Sequence, residues 1–301
     1  MKKGRKIKKD PAYRERVAQK TQAEKEQIRL LREKDRKVLV AMLETRGKTA
    51  VLGEYACFLD KRRFFSVDFE GNIHRKGQNF LFPIFSFFED PELLTDALLE
   101  LADPREKIRV SKIDRRAELP AEVAAENFLK TMVRGESVFA LSFGKELFLK
   151  DQTLFFRLAA RFALAGNIRS LKPLWVLAFE PFAEKITGNG DFDDPVFYAF
   201  LSYLTKYRDD FYDPKNLPAL WEKDGGRFLS PSELVTILAE DGALSVRERL
   251  ELGCYLRLLE KKDFGEEKYL RILNYEYARL RERKGQAARD PDDPWESLLL
   301  R

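Results

Sequence analysis

Two carboxylates separated by one residue form the pattern in this sequence with the clearest chemical meaning. Asp68 and Glu70 follow a phenylalanine-rich run at 64–67. Side chains at positions i and i+2 of a β-strand point to the same face, so a strand through this run would place both carboxylates side by side. A pair of this kind can hold divalent metal ions, which activate water for phosphodiester hydrolysis.

Residues 64–71 resemble the first motif of the DEDD 3′–5′ exonucleases, in which an apolar strand delivers Asp-x-Glu. The resemblance implies a metal-dependent nuclease with Asp68 and Glu70 as metal ligands, and it covers these eight residues. The later motif of that family, a histidine or tyrosine followed by an aspartate, is not matched, because the fifth residue after His74 is Asn79. The alternative interpretation is an exposed polar edge of a β-hairpin.

The histidine and cysteine content excludes several classes of site. His74 is the one histidine of the chain, so zinc and iron sites that need two imidazoles are excluded within one chain. Cys57 and Cys254 are far apart and predict no disulfide framework, which indicates a reducing compartment and hence the cytoplasm. Glycine motifs that bind phosphate are absent. We therefore predict no cofactor, no resident metal and no catalytic residue outside the alternative pair.

A cationic arm opens the chain. Residues 1–9 contain six cations and no anion, and since the whole chain carries +5, the remainder sums to −1. Such an arm indicates a polyanionic partner, most commonly RNA or DNA. Further cations near 61–76 lie among aromatic residues, a mixture that suits single-stranded nucleic acid, or alternatively a solvated turn around a core. The candidate nucleic-acid-binding residues are Lys2, Lys3, Arg5, Lys6, Lys8, Lys9, Lys61, Arg62, Arg63, Arg75 and Lys76.

Aromatic and apolar side chains indicate where a core or a protein contact lies. Of 24 phenylalanines, nine fall within 58–88 and nine within 128–182, so each region is a core or a large contact face. Near the C-terminus, residues 285–293 have no large apolar residue and we expect them to be mobile. The apolar residues that follow, Trp295, Leu298 and Leu299 among them, are candidates for binding a groove of this chain or of a partner. The longest apolar-rich run, 80–88, is too short to cross a bilayer as a helix, so no membrane contact is predicted.

The elements that position these residues are mostly helices. Residues 12–44 lack glycine and proline and predict one long charged helix. Alternation around Gly71-Asn72 predicts a hairpin, with 51–58 as a third strand. For 137–150 a second hairpin competes with a helix. Capping and spacing signals predict further helices near 91–101, 120–134, 152–165, 171–186, 195–208, 231–240, 246–261 and 266–284.

These observations predict a mainly α protein, an irregular multi-helix bundle or helical array with a small antiparallel β element near 47–80. The predicted parts are 1–45 (arm and charged helix), 46–187 (β element and Phe-rich helices), 188–284 (C-terminal helices) and 285–301 (tail). The leading functional hypothesis is a non-enzymatic scaffold or adaptor. Its arm would dock on a polyanion and its Phe-rich helices would bind a protein; the alternative is the nuclease centred on Asp68 and Glu70.

Overall fold

The chain is mainly helical, as the sequence predicted. A computed structural model describes residues 11–58, 65–67, 73–75, 80–104, 112–115, 118–186, 192, 194–206, 228–240, 244–261 and 267–282. It divides into two compact units, an N-terminal unit, Met1–Arg109, and a C-terminal unit, Val110–Arg301. The sequence did not single out a boundary at 109/110, and the four-part division made from it stays a prediction.

The N-terminal unit is built from short helices and one pair of strands. Its elements are α1 (Pro11–Glu33), α2 (Arg36–Arg46), α3 (Lys48–Tyr55) with a 3₁₀ turn (Ala56–Phe58), β1 (Phe65–Val67), β2 (Ile73–Arg75), α4 (Leu81–Phe87) and α5 (Pro91–Leu101). Helix α2 packs on α5, and α3 packs on α4. Strands β1 and β2 are antiparallel, with Ser66 opposite His74.

The long helix predicted over 12–44 is divided into α1 and α2. Lys34 has a left-handed backbone with φ of 52°, which an α-helix does not tolerate. Asp35 then starts α2, because its carboxylate accepts a hydrogen bond from the Val38 amide at 3.3 Å. On α2, the Arg36 guanidinium donates to Asp96 at 2.9 Å and also pairs with Glu92. The second segment is therefore fixed to α5 by a charged contact.

The prediction of a third strand at 51–58 was wrong, since these residues form α3 and the 3₁₀ turn. Val51, Leu52, Tyr55 and Phe58 are all buried, at the spacing of one helical face. Lys48 fixes the start of α3, where its ammonium donates to the carbonyls of Ser86 and Phe88 at 3.2 and 3.1 Å.

All regular elements described in the C-terminal unit are α-helices or 3₁₀ turns. Its elements are α6 (Ala121–Arg134), α7 (Ser137–Lys150), α8 (Gln152–Ala165), a 3₁₀ turn (Ile168–Ser170), α9 (Lys172–Phe179), a second 3₁₀ turn (Glu180–Phe182), α10 (Ala183–Ile186), α11 (Asp194–Lys206), α12 (Pro231–Glu240), α13 (Val246–Lys261) and α14 (Glu267–Glu282). The capping boxes predicted at Ser230 and Ser245 are present, with amide-to-carboxylate hydrogen bonds of 2.9 and 2.8 Å to Glu233 and Glu248.

Helix α9 is the centre of this unit, because every residue from Lys172 to Phe179 is buried. It packs on α8, α11 and α13. Against α11, the ring of Phe179 stacks on that of Phe200 with centroids 3.9 Å apart. Trp175 stacks on Tyr203 at 4.1 Å, and the Tyr203 hydroxyl donates to the Ser170 carbonyl at 2.6 Å. The phenylalanines of 128–182 thus mainly build a core.

Residues 137–150 form helix α7. Of the two interpretations of this segment, the helix is therefore confirmed and the second hairpin was wrong. Gly144 lies where α7 meets α6 and α11. A Cβ atom there would stand 2.8 Å from Phe128 Cε2 and from Leu201 Cδ1. Only a residue without a side chain allows this close approach.

Candidate interaction surface

The residues that the sequence selected lie almost wholly outside the described residues. This holds for the arm cations, for Lys61–Arg63 and Lys76, for Asp68 and Glu70, and for Trp295, Leu298 and Leu299. Arg75 lies in β2, where its backbone pairs with Phe65. Nucleic-acid binding through these cations, the metal ligands and the Trp295 contact therefore stay predictions.

The described residues bring together a different set of charged groups, centred on α7. Lys145 is buried, and its ammonium donates to the Asp194 carboxylate at 2.6 Å and to the Ile113 carbonyl at 3.2 Å. The same ammonium lies 4.3 Å from the centroid of the Phe192 ring, a cation–π contact. Lys145 thus joins α7 to the start of α11 and to the segment that precedes α6.

Glu146, the next residue, has a fully buried side chain. Arg115 donates to its carboxylate at 3.0 Å, and Lys150 approaches the other oxygen at 2.9 Å. Burial acts to raise the pKa of Glu146, but the hydrogen bonds from Lys150 and Arg115 outweigh it and hold the pKa below its ordinary value. Lys150 also donates to the Leu119 carbonyl. We call the charged side chains of Lys145, Glu146, Arg115, Lys150 and Asp194 the α7 clasp.

The α7 clasp has a structural role. Each of its charged groups has an opposite charge within hydrogen-bonding distance, and three of its contacts hold residues 113, 115 and 119 against α7. Burying such groups is costly unless they are paired in this way. The clasp therefore fixes the non-helical segment before α6, and through it the start of the α6–α7 pair.

Two further groups, the buried Glu251 and the partly exposed Cys254, have perturbed pKa values. Burial raises the pKa of the Cys254 thiol to about 12, which favours the neutral thiol over the thiolate. Burial also raises the pKa of Glu251, against a hydrogen bond of 3.0 Å from Arg247 that lowers it.

Within the described ranges, no three His, Cys, Asp or Glu side chains come together in a group that could hold a metal ion. Among the helices described, none is both long enough and apolar enough to span a membrane.

Exposed apolar side chains are concentrated on α6 and α7. Of the nine large apolar residues that are exposed in the described chain, five lie on these two helices. Three of them flank the turn between the helices: Val133 is 53% exposed, Val138 72% and Phe139 49%. We call these three residues the tip patch. Single exposed apolar residues are common, but several within seven consecutive positions indicate a contact surface.

Local geometry places the tip patch at the surface. Gly135 ends α6 with a left-handed backbone, φ 71°, and its amide bonds back to the Met132 carbonyl. Helix α6 turns its buried face, which includes Phe128 and Met132, toward the core. Helix α7 does the same with Ala140, Leu141, Gly144, Leu147 and Phe148. Val133, Val138 and Phe139 fall outside both buried faces and so meet solvent.

Sequence reasoning missed both features, although each left a signal. The adjacent Lys145 and Glu146 interrupt an otherwise apolar helix, which predicts a buried ion pair once the helix is recognised. For the tip patch, the signal is a pair of apolar residues, Val138 and Phe139, that comes three residues after the glycine stop at Gly135 and ahead of the core-facing positions of α7.

Comparison with known proteins gives no relative for this arrangement: no protein-family model, no curated protein and no solved structure matches the chain.

Proposed function

We propose that this chain is a non-enzymatic interaction protein, a scaffold or adaptor, whose tip patch binds a protein partner. The observation that carries the proposal is the exposure of Val133, Val138 and Phe139 in a unit whose other phenylalanines mainly fill the core. Such side chains would be covered in the functional state, because burying each of them is worth about 1.5–3 kcal/mol. Apolar anchors at the centre of an interface commonly dominate its affinity.

The charges beside the tip patch specify the partner's chemistry. Arg134 and Glu136 lie at the turn and form a weak pair of opposite charges 4.0 Å apart, and Lys130 is a further exposed cation on α6. A partner surface that is neutral or mildly acidic therefore fits there. We expect an apolar cleft on a second protein, deep enough to take the Phe139 ring and the Val138 side chain, with a polar rim.

The arm supplies the second contact of the proposed adaptor. Its six cations in residues 1–9 stand on a chain that is otherwise near neutral, so it would dock on RNA or DNA by charge. Neither Cys57 nor Cys254 forms a disulfide bond in the structure described, which supports a cytoplasmic location.

Substitution of the tip patch by aspartate tests the protein contact. Val138 and Phe139 lie in the first turn of α7, where the helix dipole favours an anion. Val138→Asp with Phe139→Asp should therefore leave the fold intact while making the surface charged. A matched control is Val235→Asp, since Val235 is 50% exposed on α12.

The measurement is quantitative mass spectrometry of proteins captured from cell extract by each purified variant, with thermal unfolding checked in parallel. We expect at least one protein to be captured equally by the unchanged chain and by Val235→Asp, and tenfold less by the double variant. Equal capture by all three would refute the proposed surface.

Deletion of residues 2–9 tests the polyanion contact. Each phosphate contact on duplex DNA contributes ~0.9 to the slope of log affinity against log salt, so loss of all six cations should flatten that slope by about five. An unchanged slope would show that the arm does not bind nucleic acid. The tip-patch contact would be unaffected by that result.

A further inference from the structure

The tip patch has a candidate occupant within the same chain. The sequence after α14 contains one concentration of apolar residues, Trp295 with Leu298, Leu299 and Leu300. These residues follow α14, the last described helix of the C-terminal unit, and that unit contains the tip patch. A tryptophan followed at i+3 and i+4 by leucines presents one apolar face if the segment becomes helical. Such a face matches the chemistry of Val133, Val138 and Phe139.

The connecting chain is long enough for this contact. Helix α14 ends at Glu282, and the thirteen residues from there to Trp295 can span about 43 Å when extended. A compact body of about 190 residues has a radius of gyration of roughly 16 Å, hence a diameter close to 40 Å. Measured over the surface, the far side of such a body is about 63 Å away, so the segment can reach most of the surface of the C-terminal unit but not the point opposite Glu282. Pro291 and Pro294 restrict the backbone before Trp295, which lowers the entropy lost on docking.

Charge favours the same pairing. The stretch immediately around Trp295 has four anions and no cation in seven residues, namely Asp290, Asp292, Asp293 and Glu296. Lys130 and Arg134 are both exposed on α6. Lys130 lies about one helical turn before Val133, and Arg134 is the residue that follows Val133. Among the described residues, Arg134 forms an ion pair with the exposed Glu136 at 4.0 Å. A contact that long between exposed groups is weak, so an acidic segment can compete for Arg134.

From these observations we infer that Trp295–Leu300 docks on the tip patch of its own chain and competes there with the protein partner. The competitive part of the inference rests on the proposed function, whereas the docking itself does not. Attachment gives the segment an effective concentration of ~1 mM at the patch, which favours the same chain over a second copy at micromolar protein. For an intrinsic dissociation constant of ~0.1 mM, partner affinity would fall about tenfold.

Site-specific photo-crosslinking of the purified full chain tests the docking. Phe139 is replaced by p-benzoylphenylalanine, a bulky aromatic that preserves the apolar character of the site, and Val235 is replaced likewise as the control. We expect irradiation at 1 μM protein to join position 139 to a peptide within 290–301, in a product with the mass of one chain. Trp295→Ser with Leu299→Ser should reduce that product at least fivefold, and position 235 should not form it.

Three outcomes would overturn the inference. The first is that the crosslink from position 139 never maps to residues 290–301. The second is that a crosslink to 290–301 occurs only in covalent dimers, and the third is that it persists in the double serine variant. The capture assay separates this failure from failure of the proposed function. If the serine variant captures the partner no better than the unchanged chain, competition between the C-terminal segment and the partner is refuted. If capture by either chain still depends on Val138 and Phe139, the proposed partner contact at the tip patch is retained.

Discussion

Gly144 provides the sharpest test of how the C-terminal unit is packed. A Cβ added there would lie 2.8 Å from a ring carbon of Phe128 and from a methyl of Leu201. Both neighbours are fully buried core side chains, so neither can move away without disturbing its own contacts. Gly144→Ala would gain ~1 kcal/mol from helix propensity. Overpacking would cost about 1–3 kcal/mol, so the net change should range from zero to ~2 kcal/mol of lost stability.

Gly253→Ala is the matched control for that experiment. Gly253 lies inside α13, and an added Cβ would meet no atom within 4 Å other than its adjacent residues and the backbone of its own helix. The same substitution should there stabilise the protein by ~1 kcal/mol, because only the propensity term applies. The difference between the two variants isolates the packing cost of about 1–3 kcal/mol. Urea unfolding followed by circular dichroism measures both. Equal stabilisation by the two variants would refute the close approach of α6, α7 and α11.

Three further predictions follow from the clasp, the aromatic core and the carboxylate pair. Glu146→Gln should cost about 1–2 kcal/mol, because Arg115 and Lys150 lose their charged acceptor. Since the folded-state pKa of Glu146 is lowered, its stabilisation should be complete above the ordinary glutamate range and disappear as the pH falls through the folded-state pKa. The loss of stability on acidification should thus be smaller in Glu146→Gln, and identical pH profiles would contradict this assignment. Tyr203→Phe should cost about 1 kcal/mol in thermal unfolding by removing the 2.6 Å hydrogen bond to Ser170, and no loss would show that this bond contributes nothing. Finally, single-stranded DNA incubated with the protein and Mn²⁺ should stay intact, and cleavage abolished by Asp68→Asn would favour the nuclease alternative.

Local signals accounted for much of the helical fold. Asp90 precedes Pro91 and caps α5 with a 3.0 Å hydrogen bond to the Glu92 amide, and the two capping boxes before α12 and α13 are equally local. The start of α7 is less clear from the sequence, because the alternation in 137–143 also suits a strand. Its helical state depends on packing against α6 and α8, which local propensity does not encode.

Long-range contacts explain what the sequence could not predict. Lys145 finds its partners at Ile113 and Asp194, 32 and 49 residues away, so no spacing rule links them. Lys34 adopts a left-handed backbone inside a stretch with good helix propensity, and nothing in the residue type indicates it. The exposure of Val138 likewise depends on which face of α7 its neighbours cover.

In-cell photo-crosslinking from Val138, the most exposed of the tip-patch residues, tests the proposed contact most directly. With p-benzoylphenylalanine at 138, we expect light to produce a covalent adduct between this chain and another protein, and no such adduct with the probe at 235. Absence of an adduct from 138, or the same adducts from both positions, would contradict a protein-binding surface at the α6–α7 turn.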